Sequence, residues 1–325
     1  MKKNHNTIWL ILVLILLGTI GYFLLEKNDT PQDLVISESE PVKLRIGYIP
    51  IADCAQLYVG KEQGYFAENG LEVELTKMTG GAKILEALAG GSIDIAFSNV
   101  VSVMLANNGG LDFIPITGGP RTNRDHKETG ILVLKDSGIK SLKDLEGKKI
   151  AVNTRKNIVE LFVLNYLEDS GVNTSTIEFV ESSFPQMYQL LDSKNVDAVA
   201  SIEPFVTFSM QTEKVNNLGD YFVSVMSSME ISTYNAEANW INKNKETVEK
   251  FRKSISQATD FANNNRSELE YIITKYTSLK PDQVKNIVLP FYGSDIDEKS
   301  FGEILNKTKS RGWINNELSM NDILN

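Results

Sequence analysis

The chain has 325 residues, 42% of them hydrophobic, and its 33 Lys and Arg against 42 Asp and Glu give a net charge of −9. This length allows two lobes with a core in each, and the negative balance argues against a nucleic-acid partner, which selects basic faces. Cys54 is the single cysteine, and His5 and His126 are the only histidines. Disulfides, cysteine-rich zinc sites and His-pair metal motifs are therefore excluded, and we expect neither a metal nor a cofactor.

The N-terminal region contains an uncharged apolar run, residues 8–25 (IWLILVLILLGTIGYFLL), preceded by Lys2 and Lys3. As a helix it would extend roughly 27 Å, close to the thickness of a bilayer core, and the lysines favour a cytoplasmic N-terminus. Since no convincing cleavage site follows, we predict a transmembrane anchor over residues 1–26 and a polar linker over residues 27–41. A long signal peptide cut at an unrecognised site is the alternative.

From residue 42 onward, strand and helix patterns alternate, which indicates βαβ units and largely parallel sheets. The order strand, helix, strand, helix, strand occurs over residues 43–98 and recurs about 104 residues later, over residues 148–202. Ile46 aligns with Ile150, and the Ile-Asp pair at residues 93–94 aligns with the Val-Asp pair at residues 196–197. Two such units of equal size predict two similar α/β lobes rather than one continuous sheet.

The C-terminal third carries helical patterns without a third strand–helix repeat, and we expect these helices to pack mainly on the first lobe. A turn-rich run at residues 117–130 (TGGPRTNRDHKETG) fits a crossover between the lobes, and residues 222–240 fit the return. We therefore assign residues 42–128 and 236–325 to lobe 1 and residues 129–235 to lobe 2. Two crossings form a hinge, which is a common device for closing lobes around a ligand.

Ligands of open α/β sheets bind beyond the carboxyl ends of the strands, where helix N-termini can hold an anion or a polar oxygen. The repeat selects four loops of this kind, at residues 49–54, 79–82, 153–157 and 201–205, together with Ser98 and Asn99. Arg155 would complement an oxyanion, whereas Asp53 and Glu203, one from each lobe, would favour an ammonium or several N–H donors.

Each of these residues also has a simpler structural interpretation. Asp53 and Asn99 are suited to capping helices, Gly80 and Gly81 to a turn, and Arg155 to a solvated surface. Cys54 is expected to be a small buried residue and His126 an exposed one. Tyr48, Tyr188, Phe205 and Tyr234 lie at or beside the selected loops and are candidates for a cleft wall, although core packing is the alternative for each.

The segments at residues 46–75, 79–99, 139–157 and 196–205, in this order and spacing, resemble the ABC-transporter substrate-binding proteins for nitrate, sulfonate, taurine and thiamine-pyrimidine compounds. The resemblance covers residues 43–312 and implies the type II periplasmic-binding-protein fold, with each lobe a sheet flanked by helices. The family's lipid-bearing cysteine is absent here, so retention at the membrane would depend on the N-terminal helix. The cysteine-rich motif of the eukaryotic pyrimidine-synthase branch is absent as well.

The family's ligand-contacting loops match the loops that the repeat selects. With Tyr234 added from the return crossing, the candidate ligand-binding residues are Ile51, Asp53, Cys54, Gly80, Gly81, Ala82, Ser98, Asn99, Asn153, Thr154, Arg155, Glu203, Pro204 and Tyr234.

The resemblance implies a monomeric, membrane-anchored, extracytoplasmic solute-binding protein that delivers a small polar or anionic compound to the permease subunits of an ABC importer. We expect no catalytic activity, because the chain offers only carboxylates and one isolated histidine as general bases. The alternatives are an enzyme of cofactor biosynthesis on the same fold and a ligand sensor that acts through a membrane partner.

Overall fold

A computed structural model describes residues 40–277, 279–315 and 317–324. The first sheet contains β1 (Val42–Tyr48), β2 (Leu71–Lys77), β3 (Ile95–Asn99), β4 (Phe113–Thr117) and β12 (Ser232–Glu237). Its spatial order is β2-β1-β3-β12-β4. The first three of these neighbours run parallel, and β12 pairs antiparallel with both β3 and β4.

The second sheet contains β6 (Thr129–Leu134), β7 (Lys149–Val152), β8 (Glu178–Glu181), β9 (Ala198–Ile202) and β10 (Val215–Asn217). Read from β8, its order is β8-β7-β9-β6-β10, with β6 antiparallel to both of its neighbours. This order and these directions are those of the first sheet. The predicted internal repeat and the two-lobed α/β fold are therefore confirmed, while the lobe boundaries stay a prediction.

One polar contact occurs at equivalent positions of the two sheets. The Asp94 carboxylate accepts a hydrogen bond from the Arg45 amide at 2.9 Å, and the Asp197 carboxylate accepts one from the Lys149 amide at 2.9 Å. Each aspartate joins the turn before the third strand of its repeat to the first strand, at the middle of β1 and at the first residue of β7. An aspartate is suited to this place because its short side chain can accept from a nearby amide.

Helices flank both sheets. They are α1 (Ala55–Glu62), α2 (Tyr65–Glu68), α3 (Gly81–Ala89) and α4 (Val100–Asn108) on the first repeat, and α5 (Ile158–Asp169), α6 (Phe184–Asp192) and α7 (Phe205–Gln211) on the second. The first helical segment of the repeat is divided in two, because Gly64 has a left-handed φ of 80° and separates α1 from α2. Short 3-10 turns occupy Ala52–Cys54, Leu142–Leu145 and Thr174–Thr176.

The C-terminal helices divide between the two cores. They are α8 (Ala238–Lys243), α9 (Lys245–Asn264), α10 (Arg266–Tyr276), α11 (Pro281–Val284), α12 (Glu298–Ser310) and α13 (Asn321–Leu324). Phe251 of α9 packs into the core of the first sheet, as predicted, whereas Phe301 and Ile304 of α12 belong to the core that contains the second sheet. The expectation that these helices pack mainly on the first lobe agrees with α9, and α12 also contacts α4 of the first repeat.

The two segments that cross between the sheets pair with each other. Strand β5 (Pro120–Asn123) lies between β11 (Ser228–Glu230) and β13 (Phe291–Tyr292) in a small antiparallel sheet. The run predicted as an irregular crossover thus contains a strand. Within this sheet, fully buried Glu230 binds the Arg121 guanidinium at 3.1 Å and accepts a hydrogen bond from the Gly119 amide at 2.8 Å.

None of the helices in the described ranges is both long and apolar enough to cross a bilayer. The predicted anchor, residues 1–26, lies outside the described residues, as does the predicted linker up to residue 39.

Candidate functional site

Loops that follow strands of the two sheets face each other. A Cβ placed on Gly80, which follows β2, would lie 3.7 Å from the Thr154 hydroxyl oxygen, which follows β7. Both residues were selected from the sequence, and the structure brings them together. The carboxyl ends of the parallel strands therefore border one cleft between the sheets.

A pocket of about 190 Å³ lies in this cleft. Its apolar wall comes from both sides: Ile49, Ile51 and Met78 from the first sheet, and Phe184, Pro185 and Phe205 from the second. Phe205 packs against both cores, and its ring stacks on the Phe184 ring with centroids 6.2 Å apart. The predicted roles of Ile51 and Phe205 at the cleft agree with this placement.

Asp53 lies in the 3-10 turn after β1 and is 2% exposed. Its side chain caps no helix, and its Oδ1 accepts no hydrogen bond. Burial raises the pKa of this carboxyl to about 7, although a hydrogen bond with its own backbone amide acts in the opposite direction. The capping interpretation of Asp53 is therefore not supported, and its carboxylate has an oxygen free to accept from a ligand.

Glu128 was not selected from the sequence, yet it is fully buried beside two of the selected residues. Its carbonyl accepts a hydrogen bond from the Glu203 amide at 2.8 Å, which extends the β6–β9 ladder by one residue. Neither carboxylate oxygen of Glu128 has a hydrogen-bond partner. Burial raises the pKa of Glu128 well above its usual range, and the charges of Asp53 and Glu203 raise it further.

Glu203 completes a set that we call the acid cluster: Asp53, Glu128 and Glu203. Its carboxylate accepts hydrogen bonds from the Thr207 hydroxyl at 2.7 Å and from the Thr207 amide at 3.2 Å. Burial raises the pKa of Glu203, while these hydrogen bonds act in the opposite direction. Pro204 follows through a cis peptide bond and is buried before α7.

Ser98 and Ser201 occupy equivalent positions near the ends of β3 and β9, and we call them the paired serines. Ile95 pairs with Ile46 and Ala198 pairs with Ile150, so each serine stands three residues beyond the matching register point. Both side chains are buried, and neither hydroxyl has a hydrogen-bond partner. A buried polar group without a partner costs about 1–3 kcal/mol, so such groups together indicate a site that a ligand completes.

Gly81 begins α3 directly against Ser98. A Cβ on Gly81 would lie 2.6 Å from the Ser98 hydroxyl and 3.3 Å from its Cα, whereas a Cβ on Gly80 has only an ordinary contact. We expect Gly81→Ala to destabilise the protein by about 1–3 kcal/mol through overpacking and to displace Ser98. Gly80→Ala is the matched control, since its extended φ of −178° suits any residue. Chemical denaturation of both variants tests this, and equal losses would contradict it.

Three selected residues have structural roles instead. Asn99 caps α4, because its side chain accepts from the Ser102 amide at 3.0 Å. Arg155 is exposed, and its guanidinium binds Glu160 at 2.9 Å, so the expectation that it meets a ligand oxyanion is corrected. Tyr234 is fully buried between the Phe97 and Phe251 rings, and its assignment to the ligand site is corrected for that reason.

The remaining selected residues lie around the cleft loops. Cys54 is fully buried, and burial raises its pKa well above the usual range, which suits a packed residue. Ala82 is half-buried in the first turn of α3, and Asn153 accepts a hydrogen bond from the Asn157 side chain at 2.8 Å. His126 was expected to be exposed but is half-buried, with Nδ1 2.7 Å from the Leu289 carbonyl oxygen.

For two of the candidate cleft-wall tyrosines the structure agrees with the alternative of core packing. Tyr48 is buried, with its ring 5.7 Å from the Tyr58 ring, and Tyr188 packs on the second core. Glu128 was not predicted to be a site residue, because polar residues surround it in the sequence. The available signal was its position directly before β6, whose six residues are all buried. Ser201 lies in one of the selected loops. Its position in the repeat is equivalent to that of Ser98, and this equivalence would have marked it as a candidate site residue.

Comparison with known proteins agrees with this architecture. The family model described as NMT1/THI5 like matches residues 51–268, more than half of the chain. The periplasmic aliphatic sulphonate binding protein SsuA from Escherichia coli superposes with a TM-score of 0.71 at 19% identity, over 87% of this chain and 97% of that one.

Two curated relatives differ in their described activities. A putative ABC transporter periplasmic binding protein of Brachyspira hyodysenteriae is 26% identical over 243 residues, which cover 69% of this chain and 66% of the relative. A 4-amino-5-hydroxymethyl-2-methylpyrimidine phosphate synthase of Aspergillus parasiticus is 23% identical over 254 residues, which cover 70% of this chain and 67% of that protein. The chain thus spans about two thirds of each relative's length. By the match over residues 51–268, the chain belongs to the NMT1/THI5-like family.

Proposed function

We propose that the protein captures a small polar solute between its two lobes and delivers it to the permease of an ABC importer. The observation that supports this proposal is that both sheets supply buried polar oxygens without partners among the described residues, at the strand ends and loops that border the cleft. These are oxygens of Asp53, Glu128 and the paired serines. A solute that contacts both sides only when the lobes are closed shifts the population toward the closed form. The sulfonate- and periplasmic-binding relatives support this proposal.

Binding without turnover is favoured over catalysis by the chemistry of the cleft. Burial raises the pKa of Cys54, which opposes formation of a thiolate, and the His126 ring is held against a backbone carbonyl. The synthase relative makes an enzyme the natural second candidate. Mass analysis of solutes recovered after incubation separates the two, since an unchanged solute supports binding and a turnover product refutes it.

We further propose the boundaries of the two lobes and the side of the membrane on which they lie. Lobe 1 comprises residues 42–128 and 236–325 and lobe 2 residues 129–235. These bounds separate the strands of the two sheets except β12, which belongs to the first sheet and crosses the boundary at residue 235. Residues 1–26 anchor the protein and place the lobes outside the cytoplasmic membrane. Lysines before an apolar run of this length support that orientation. Membrane fractionation followed by protease accessibility on intact cells tests it.

The proposal requires that a solute screen yields a ligand. We expect at least one member of a panel of sulfonates, taurine, nitrate, bicarbonate, pyrimidines and amino-acid-like compounds to raise the melting temperature of the full-length protein, because a ligand of the folded state stabilises it. Calorimetry then measures the affinity. A protein that responds to no small solute contradicts the proposed function.

Linking the facing loops should trap the solute. Cysteines in place of Gly80 and Thr154 stand close enough for a disulfide, given the 3.7 Å separation above. We expect the oxidised double variant to exchange bound solute at least about 10-fold more slowly and to recover on reduction, because closure must reverse before release. Gly80→Cys alone is the control, and Cys54 stays out of the reaction because it is buried. Unchanged exchange in a fully crosslinked sample contradicts closure around the solute.

A further inference from the structure

Five oxygen atoms at the strand ends and loops that border the cleft are buried and have no hydrogen-bond partner among the described residues. They are Asp53 Oδ1, both Glu128 carboxylate oxygens and the hydroxyl oxygens of Ser98 and Ser201. Each of these side chains belongs to a residue no more than 2% exposed. The first sheet supplies Asp53 and Ser98, and the second supplies Ser201 beside Glu128. The carboxylate oxygens accept from a ligand that brings hydrogen-bond donors, and the serine hydroxyls can either accept from it or donate to it.

Within the described ranges, no ion pair to an Asp53, Glu128 or Glu203 carboxylate is present to neutralise the acid cluster. Arg155 and Lys156 lie in the loop at residues 153–157. The Arg155 guanidinium is held by Glu160 and by the Phe179 carbonyl, and Lys156 is exposed. Lys77 lines the pocket but is exposed, so its ammonium remains hydrated. Because burial raises the pKa of all three carboxyls, each favours its protonated form in the empty cleft. A cationic solute can replace that proton and stabilise the ionised form, whereas an anionic solute opposes ionisation.

In both lobes, residues that line the apolar pocket lie close in sequence to residues of the acid cluster. Ile51 of the pocket wall stands two residues before Asp53, and Phe205 stands two residues after Glu203. The pocket volume of about 190 Å³ is comparable to that of an apolar cavity of about 150 Å³ that binds benzene. The space therefore suits an apolar group of the size of one ring.

We infer that the cleft selects a small organic cation with several N–H donors and one apolar group, such as an arylamine or amidine, in preference to an oxyanion. The donors meet the oxygens of Asp53, Glu128 and the paired serines, and the apolar group enters the pocket lined by Ile51 and Phe205. An inorganic cation is a poorer match, because no three His, Cys, Asp or Glu among the described residues are placed to hold a metal ion. This inference rests on the proposed function and specifies its solute.

Benzamidine is the probe that matches both features, since its amidinium carries four N–H bonds and its phenyl ring fits the apolar pocket. Benzoate and benzenesulfonate have the same ring with the opposite charge. We expect benzamidine at saturation to raise the melting temperature of the full-length protein by about 2 °C or more, and both anions to leave it unchanged. Asp53→Asn and Glu128→Gln should each remove the benzamidine shift, whereas Asp125→Asn, at an exposed position, should retain it.

Every outcome decides the inference. A benzamidine shift that is lost in the two cleft variants and kept in Asp125→Asn supports it. A shift with either anion and none with benzamidine overturns it while leaving capture of a solute intact. A benzamidine shift that survives in Asp53→Asn and Glu128→Gln overturns it as well, because the contact then lies elsewhere. The absence of any shift, with these probes and with the solute panel, overturns the proposed function itself.

Discussion

Replacing Glu230 by Ala is expected to destabilise the protein by about 3–5 kcal/mol, the largest effect on folding among the changes considered. Glu230 is fully buried in the small sheet that joins the lobes. Its carboxylate binds the Arg121 guanidinium at 3.1 Å and accepts from the Gly119 amide at 2.8 Å and the Asp297 amide at 2.9 Å. Alanine would leave buried donors without an acceptor.

The measurement is the free energy of unfolding in urea at pH 8. Burial raises the pKa of Glu230 to about 7, despite the Arg121 charge, so the carboxylate is mainly ionised at that pH. Glu249→Ala is the control, because Glu249 forms an exposed pair with Arg252 at 2.6 Å, and such pairs contribute about 1 kcal/mol or less. Similar losses in the two variants would show that the buried carboxylate does not hold the crossing strands together.

Replacing Asp53 by Asn is expected to stabilise the ligand-free protein increasingly as the pH rises. Burial raises the folded-state pKa of Asp53 from 3.8 to about 7, so the folded protein holds this proton more tightly than the unfolded chain does. The stability from Asp53 is therefore fully present below about pH 4 and is lost as the pH rises through about 7. Between pH 5 and pH 8 the variant should gain about 3 kcal/mol relative to the wild type.

Paired denaturation curves at pH 5 and pH 8 measure this gain. The other titratable groups near Asp53 that burial keeps uncharged over this range are Cys54, Tyr58, Tyr221, Tyr234 and Tyr292. Glu128 and Glu203 are the acids that share the cleft, and their raised pKa values add to the same trend in the wild type. Asp125→Asn should show no such gain. If the free energies of unfolding of the wild type and Asp53→Asn differ by the same amount at both pH values, burial does not raise the pKa of the Asp53 carboxyl.

The strands and helices of the repeat were predictable because buried residues recur at regular spacings in the sequence. Equal spacing placed Ile46 opposite Ile150 and Asp94 opposite Asp197, and the two sheets repeat the same strand order. The break between α1 and α2 was not predicted, since an isolated glycine within a helical pattern does not by itself show that the helix ends.

The site was predictable at the level of loops but not of side chains. Asp53, Ser98 and Glu203 were selected because they stand at or just after the ends of strands, and the structure buries all three there. Arg155 was selected for the same reason, but its guanidinium already forms an ion pair with Glu160, about one helical turn later in the sequence. Tyr234 lies beside the return crossing in sequence, yet strand alternation directs it into the core. Glu128 required knowledge of the β6–β9 register, which no local pattern provides.

The insertion of β12 between β3 and β4 has a consequence for the order of folding during synthesis. An interior strand of the first sheet, Ser232–Glu237, is translated only after all the strands of the second sheet. The first sheet therefore emerges from the ribosome incomplete, with its strand at residues 113–117 awaiting a neighbour. The second sheet, complete by residue 217, can assemble earlier, so the C-terminal half of the repeat matures before the N-terminal half.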